Sequence, residues 1–225
     1  MNVVVKIGGH VFPSRLDVER VSAYAEMFKK LKREGHRVVV VTGGGEGARK
    51  YINTARALGG SELLCDLMGI HFSRLNARLL IASLGEDAYS EPPTSVEELR
   101  RAFETGKIVV LGGLQPGQST NAVGIISAEA VGADLFINAT DVDGVYTADP
   151  KKDPRARRMD VVGADKLLKM VLATGLEAGG YELFDPLAVM VVKRSGIPTR
   201  IIDGREVENI ERAVRGERIG TLITP

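Results

Sequence analysis

A lysine, three glycine-rich turns and an aspartate-rich loop are the parts of this sequence whose residue types could do chemistry. Lys6 interrupts the apolar run NVVVKI and stands directly before Gly8 and Gly9. A cation in a buried run needs a counter-charge, and an anion held beside the glycine turn would supply one. The alternative is a strand-end lysine that snorkels to solvent. Further on, VVVVTGGGEGARKY joins four valines to Gly43, Gly44 and Gly45, with Arg49 and Lys50 following. Glycines there let the backbone turn sharply and approach a ligand. The start of the next helix would then offer free N–H groups and a positive dipole end, a phosphate-binding arrangement. A tight turn without a ligand is the plainer reading. The loop GGLQPGQSTNA carries Ser119, Thr120 and Asn121 just before another helix, where they could cap the helix or touch a ligand. Last, TDVDGVYTADPKKDP (140–154) is too polar for core and lacks the closing glutamate of a calcium-binding EF-hand loop.

The elements that must position these residues follow from periodicity. Residues 2–7 and the run from Val38 read as strands buried on both faces, as in a parallel sheet. Between them Val18, Val21, Ala25, Phe28 and Leu31 recur at helical spacing, and Gly35 closes that helix. Lys29, Lys30, Lys32 and Arg33 read as its solvated face. Strand, helix, strand in this order predicts a right-handed crossover with parallel strands. Helices are predicted over 46–58 and 63–84. On the longer one, Asp66 lies near the start, Arg74 and Arg78 read as a surface or interface face, and Cys65 and His71 as packing residues. Leu63, Leu64, Leu67 and Ile70 read as core or subunit contact. Thr94 and Ser95 with Glu97 and Glu98 signal a capped short helix that Gly106 ends. Strands are predicted at 108–111, 135–139, 197–202 and 220–223. Helices are expected at 167–174, from the Asp185-Pro186 start to Ser195, and over 207–214. Alternation throughout predicts an α/β three-layer sandwich, a mostly parallel central sheet with helices on both faces. Any ligand belongs at the carboxyl ends of the strands, where the glycine turns meet.

Composition narrows the function. Thirty basic against twenty-nine acidic residues leave a formal charge of +1, which argues against binding nucleic acid by bulk charge. One cysteine excludes an internal disulfide or a cysteine zinc site, and three scattered histidines offer no metal cluster. No apolar run reaches membrane length, and residues 1–7 enter a strand directly, leaving no room for a signal peptide. The expectation is a cytoplasmic protein with small-molecule partners, engaging neither nucleic acid nor membrane. No linker or repeat divides the 225 residues.

Gly43, Gly45 and Ala48 satisfy G-x-G-x-x-A, but a dinucleotide-binding domain wants an acidic residue at the end of the next strand, and 58–67 reads as turn and helix. The P-loop signature G-x-x-x-x-G-K-[ST] is missing, and neither HRD nor DFG marks a protein kinase. Taken together, Lys6-Ile7-Gly8-Gly9, Val41-Thr42-Gly43-Gly44-Gly45 with Arg49, and above all Asp141-Val142-Asp143-Gly144-Val145-Tyr146-Thr147-Ala148-Asp149-Pro150 resemble the amino acid kinase superfamily. Within it the chain is most similar to the uridylate kinases of the archaeal type, with PGQST after Gly-Gly as a second marker. The resemblance runs from Met1 to Pro225.

The resemblance implies one domain over 1–225, with an acceptor-binding lobe at about 1–130 and an ATP-binding lobe at about 131–225. It implies transfer of the γ-phosphoryl group of ATP to UMP, a step of pyrimidine nucleotide biosynthesis. Carried over residue by residue, Gly9, His10, Gly45 and Arg49 would border the ATP phosphates. Thr140, Tyr146 and Asp149 would hold the nucleoside part of ATP. Gly44 and Asp66 would contact UMP, and Leu114, Gln115, Pro116, Gly117, Gln118, Ser119 and Thr120 would close over it. Lys6 would stabilise the transferring phosphoryl group. The family also implies Mg²⁺, for which no metal ligand is assigned, and commonly a homohexamer. The residues agree with this chemistry, since phosphoryl transfer asks for positioning, cations and N–H donors rather than a covalent nucleophile.

Two positions depart from the family pattern. His10 replaces a small residue, often Ser, and Asn121 stands where many relatives carry an Asp organiser. Relatives that phosphorylate carboxylates often have a second, late lysine, whose equivalent here is Met190, with Lys193 close by. An isopentenyl phosphate kinase is the rival within the superfamily, but it would show a GGGSFGH-like stretch where this chain has GGGEGARKY. A regulatory nucleotide binder without catalysis could lose Lys6, which is present. A dehydrogenase is the most distant reading.

Overall fold

A computed structural model of the chain describes residues 1–148, 153–173 and 184–225. Its strands are β1 (Asn2–Ile7), β2 (Arg37–Thr42), β3 (Val109–Leu111), β4 (Leu135–Thr140), β5 (Val145–Tyr146), β6 (Arg158–Met159), β7 (Val161–Gly163), β8 (Thr199–Asp203) and β9 (Thr221–Thr224). Its helices are α1 (Val18–Arg33), α2 (Gly45–Ala57), α3 (Glu62–Leu84), α4 (Val96–Glu104), α5 (Thr120–Ala130), α6 (Ala164–Ala173), α7 (Pro186–Ser195) and α8 (Glu208–Val214).

One seven-stranded sheet, ordered β3-β2-β1-β4-β8-β9-β7, runs through the molecule. The neighbours from β3 to β8 are parallel, β9 runs antiparallel to β8, and β7 is parallel to β9. Period-two alternation sends Val3, Val5 and Ile7 into one apolar layer with α1, α3 and α8. Val4, Val39, Val41 and Phe136 face the opposite layer, with α4, α5 and α7. This is the expected three-layer α/β sandwich, and full burial of the valine runs follows from having helices on both faces.

β1 lies at the switch point of the sheet. The chain leaves it toward β2 and β3 on one side, and β4 and β8 add on the other. Open parallel sheets bind ligands beyond the carboxyl ends of the strands at such a point. The turns converge there: Gly8 N–H donates to the Ala139 carbonyl at 2.9 Å, and Gly43 N–H to the Ile7 carbonyl at 3.1 Å.

Several expectations need correction. The loop after β4 contains the short hairpin β5–β6, and β7 is a three-residue edge strand, too short for its two valines to show a period. α6 starts at Ala164, before the expected 167, and the expected end at Thr174 lies outside the described residues. His71 is exposed rather than packed, whereas Cys65 is buried. Of the residues read as core or subunit contact, Ile70 is buried, while Leu63, Leu64 and Leu67 are exposed, which removes only the core alternative for them. With Leu75, Leu79, Tyr51 and Leu58, these leucines leave apolar surface on α3 and along α2 and its C-cap. The solvated face of α1 also carries ion pairs: Lys30 and Lys32, partly exposed, meet Glu211 and Asp87 at 2.7 and 2.8 Å.

Candidate active site

Lys6 shares the side of the sheet that Val4 and Phe136 face, registered between Val41 of β2 and Asn138 of β4. It is 8% exposed. α5 rides close over it. A side chain at Gly124 would put its Cβ 2.6 Å from the Phe136 ring and 3.4 Å from the Lys6 Cβ, so only glycine fits at this crossing. Burial lowers the Lys6 pKa to about 8, while the charge of Asp141 at the end of β4 pulls it back up. The snorkelling alternative therefore fails: the ammonium is enclosed and held against the cost of desolvation.

The first two glycine turns lock into each other. A Cβ at Gly9 would fall 2.8 Å from the Gly45 Cα, and one at Gly45 would fall 2.5 Å from the Phe12 carbonyl oxygen. Gly45 also has φ +72°, the left-handed region that side chains disfavour. Backbone packing alone thus explains these glycines, and it brings the start of α2 beside the Gly8–Gly9 turn. Gly44 supplies no side-chain cap to α2, whereas Asp17, Ser61, Ser95, Ser119 and Asp185 cap α1, α3, α4, α5 and α7. An uncapped helix start suits an anion. Arg49, the fifth residue of α2, brings its guanidinium 3.6 Å from the place of a Gly9 Cβ.

His10 follows the first turn, with its ring against Gly8 and Gly204. Burial is the main cause of its lowered pKa, and Lys6 pushes the same way. Its Nε2 lies 3.4 Å from the Tyr24 hydroxyl, which donates to the Gly204 carbonyl.

The third glycine loop is strapped down by α3. Arg74 donates to the carbonyls of Gly113 and Leu114 at 3.0 and 3.2 Å. Ser73 Oγ accepts from Gly113 N–H at 2.7 Å, and Asp66 from Gly117 N–H at 2.8 Å. The same helix reaches the second turn, where Asn76 donates to the Gly43 carbonyl at 2.8 Å. Leu114 is buried, while Gln115, Pro116 and Gly117 are exposed. Gln118 N–H donates back to the Gln115 carbonyl at 3.3 Å. Ser119 caps α5, and Thr120 and Asn121 occupy its first turn.

Sequence reasoning placed Arg74 on a surface or interface face and passed over Ser73 and Asn76. The available signal was polar residues inside an apolar helix, since Ser73 and Asn76 are both buried. On the other side, Thr140 ends β4 and bonds Asp141 at 3.2 Å. Tyr146 lies on the β5–β6 hairpin and donates to Asp143 at 2.9 Å. Asp149 lies outside the described residues. Met190 is half exposed in the middle of α7, and Lys193 is bound to Asp165 at 2.6 Å. Met190 carries no charge, and the ammonium of Lys193 is engaged by Asp165.

The arrangement brings an enclosed cation, glycine turns and helix starts together at the sheet's switch point. That suits an anionic, multi-phosphate ligand and charge-stabilised transfer without a covalent nucleophile. Comparison with known proteins points the same way. The chain is 48% identical to a uridylate kinase of Hyperthermus butylicus, covering 99% of this chain and 97% of that protein. It is 47% identical to a uridylate kinase of Methanothermobacter thermautotrophicus over the full length of both. A crystal structure of uridylate kinase from Archaeoglobus fulgidus superposes with a TM-score of 0.88 at 40% identity, covering 100% of both chains. The model of the amino acid kinase family matches residues 1–203, and with these full-length relatives it shows that the chain belongs to that family.

Proposed function

We propose that this chain is a UMP kinase, an ATP-dependent phosphotransferase acting on a phosphate acceptor. A phosphate oxygen of UMP forms a bond to the γ-phosphorus of ATP, the bond to the β,γ-bridging oxygen breaks, and UDP and ADP leave. The observation that carries the reading is the enclosed Lys6 at the switch point, with donor-side turns around it and a loop strapped by α3 beside it. Such a cation stabilises charge on the transferring phosphoryl group, and the loops orient the two substrates.

In this reading Gly9, His10, Gly45 and Arg49 border the ATP phosphates, and Thr140, Tyr146 and Asp149 hold its nucleoside. Gly44, Asp66 and residues 114–120 bind UMP. The division proposed with it is an acceptor lobe at about 1–130 and an ATP lobe at about 131–225, with Gly9, His10, Gly45 and Arg49 reaching the ATP phosphates from the first lobe. Mg²⁺ fits as an ion carried by the triphosphate, which needs only one or two protein carboxylates. Among the described residues no group of three or more acidic, histidine or cysteine side chains forms a cage. Asp141, whose charge reaches Lys6 and His10, is the carboxylate suited to face the ion. Held there, the ion would supply positive charge to the phosphates of ATP.

The exposed leucines of α3, with Tyr51 of α2 and Leu58 at its C-terminal end, support a homo-oligomer, which we take to be a homohexamer. Among the described residues no helix is long and apolar enough to cross a membrane. A cytoplasmic place in pyrimidine nucleotide synthesis is part of the same proposal.

The deciding experiment is a coupled assay of ADP release with UMP, CMP, dUMP and isopentenyl phosphate as acceptors. A site that hydrogen-bonds one base edge rejects the mismatched base by about 10⁴ or more. Turnover of CMP on a par with UMP would sink the base assignment, and preference for isopentenyl phosphate would transfer the chain to the rival activity.

A further inference from the structure

The start of α5 and the start of α7 are tied together by a pair of side chains distant in sequence. Ser119 Oγ accepts the N–H groups of Asn121 and Ala122 at 3.1 and 3.0 Å, capping α5. Its own hydroxyl hydrogen goes to Asp185 Oδ2. The other oxygen of Asp185 accepts Ala188 N–H at 3.0 Å and caps α7. Asp185 is itself fixed, because Pro186 starts the helix on one side and on the other Phe184 is buried against Phe136. A serine hydroxyl has two acceptor positions and one hydrogen. Here both acceptor positions are filled by backbone amides, so the hydrogen must find an acceptor, and Asp185 is it.

From this we propose that Asp185 is a positioning residue for the acceptor substrate: by holding Ser119 it fixes the end of the 114–120 loop and the first turn of α5. The proposal rests on the UMP kinase reading for what the loop binds, although the linkage itself does not. Ser119, fully committed to the protein, serves the site by holding Thr120 in place rather than by donating to UMP. A carboxylate between two positive helix starts is also favourably placed, which explains its toleration near an anion site.

Asp185→Asn isolates this role. Asparagine caps a helix about as well as aspartate, so α7 keeps its start. Its remaining amide nitrogen, however, offers a second donor to a hydroxyl that needs an acceptor. Losing one such bond to a charged group is worth about a 10- to 100-fold effect. The KM for UMP is therefore expected to rise about 10-fold or more with KM for ATP little changed, and the melting temperature should fall by a few degrees, at about 2–4 °C per kcal/mol of the lost bond. In a Ser119→Ala background Asp185→Asn should add nothing further to the loss in kcat/KM for UMP, because the link is already gone. Additive losses, or an unchanged KM for UMP in Asp185→Asn, would overturn the proposal. If Asp185→Asn does not fold, Asp185→Ser decides instead: serine also caps a helix start, but its single side-chain oxygen is then used on Ala188 N–H, with no second oxygen for Ser119, so it must raise the same KM. Amide hydrogen exchange of the ligand-free protein separates this idea from the substrate assignment. Asp185→Asn should speed exchange at Asn121 and Ala122 whatever the acceptor is, and unchanged exchange there would refute the link even in a protein that ignores UMP.

Discussion

Asp66 and Arg74, about two turns apart on α3, hold opposite parts of one loop: the carboxylate takes Gly117 N–H, and the guanidinium takes the Gly113 and Leu114 carbonyls. Half-buried, the Arg74 guanidinium has its pKa lowered by desolvation, so these bonds are made in a partly dry setting. Arg74→Ala should raise KM for UMP by about 10-fold or more, as expected for losing charge-assisted bonds, while KM for ATP stays within twofold. Initial rates against each substrate check this, and equal changes in both KM values would argue that Arg74 serves general stability instead.

Lys6→Met should separate activity from stability. The depression of the Lys6 pKa from 10.5 to about 8 corresponds to about 3 kcal/mol of destabilisation at neutral pH. An apolar side chain of similar length removes that cost, so the melting temperature should rise, at about 2–4 °C per kcal/mol for a chain of this size. The rate should fall by about 10²–10³, the usual loss of one charge donor aimed at the transition state. A variant that is both slower and less stable would mean that the ammonium is satisfied within the fold.

The same shift fixes a pH arm. Lys6 is charged below about pH 8 in the free protein and loses its proton as pH rises through that value. The kcat/KM for ATP, which reports the free enzyme, should therefore decline above about pH 8. In Lys6→Arg, which stays charged, that arm should vanish even if the rate is lower throughout. For stability the sign is opposite. The unfolded chain binds more protons between about pH 8 and 10.5, so the contribution of Lys6 to folding improves over that window. A profile flat to pH 9.5 would show that Lys6 keeps an ordinary pKa.

Gly45→Ala tests the interlocked turns. The new methyl would meet the Phe12 carbonyl at 2.5 Å in a left-handed backbone, so a loss of about 1–3 kcal/mol is expected. The Gly9 turn must shift in response, and ATP affinity should drop with it. Gly35→Ala is the control: it shares the positive φ but has nothing within 4 Å of the added carbon. If the two variants lose equal stability, backbone conformation rather than contact sets the cost at Gly45.

Much of this fold was legible because its signals are local. The valine runs of β1 and β2 and the periodicity of α1 depend on burial alone, and Asp185-Pro186 marked the start of α7 through capping chemistry. What escaped is non-local. β5 and β6 are two-residue strands that exist only because they pair with each other, so a polar loop gave no period to read. Arg74 looks like any arginine on a helix face until the loop after β3 folds onto it. Met190 was placed by likeness to other kinases, and the turn geometry of α7 puts it outward. Asp185 was read as a cap, which it is, but its second oxygen needs Ser119, brought near only by the packing of α5 on α7.

β9 is antiparallel to β8 and carries β7 at the sheet edge. Its first residue, Thr221, also accepts Val145 N–H at 2.8 Å and donates to the Met159 carbonyl at 2.5 Å, tying both strands of the β5–β6 hairpin. The order of synthesis then matters. On a ribosome, β1, β2, β3 and α3 can assemble the acceptor loop early, while the hairpin that carries Tyr146 must wait for Thr221, made 76 positions after Val145 and 62 after Met159. Chains clipped before Thr221 should therefore retain a well-formed acceptor side and lack a finished donor side, binding one substrate without being able to use it.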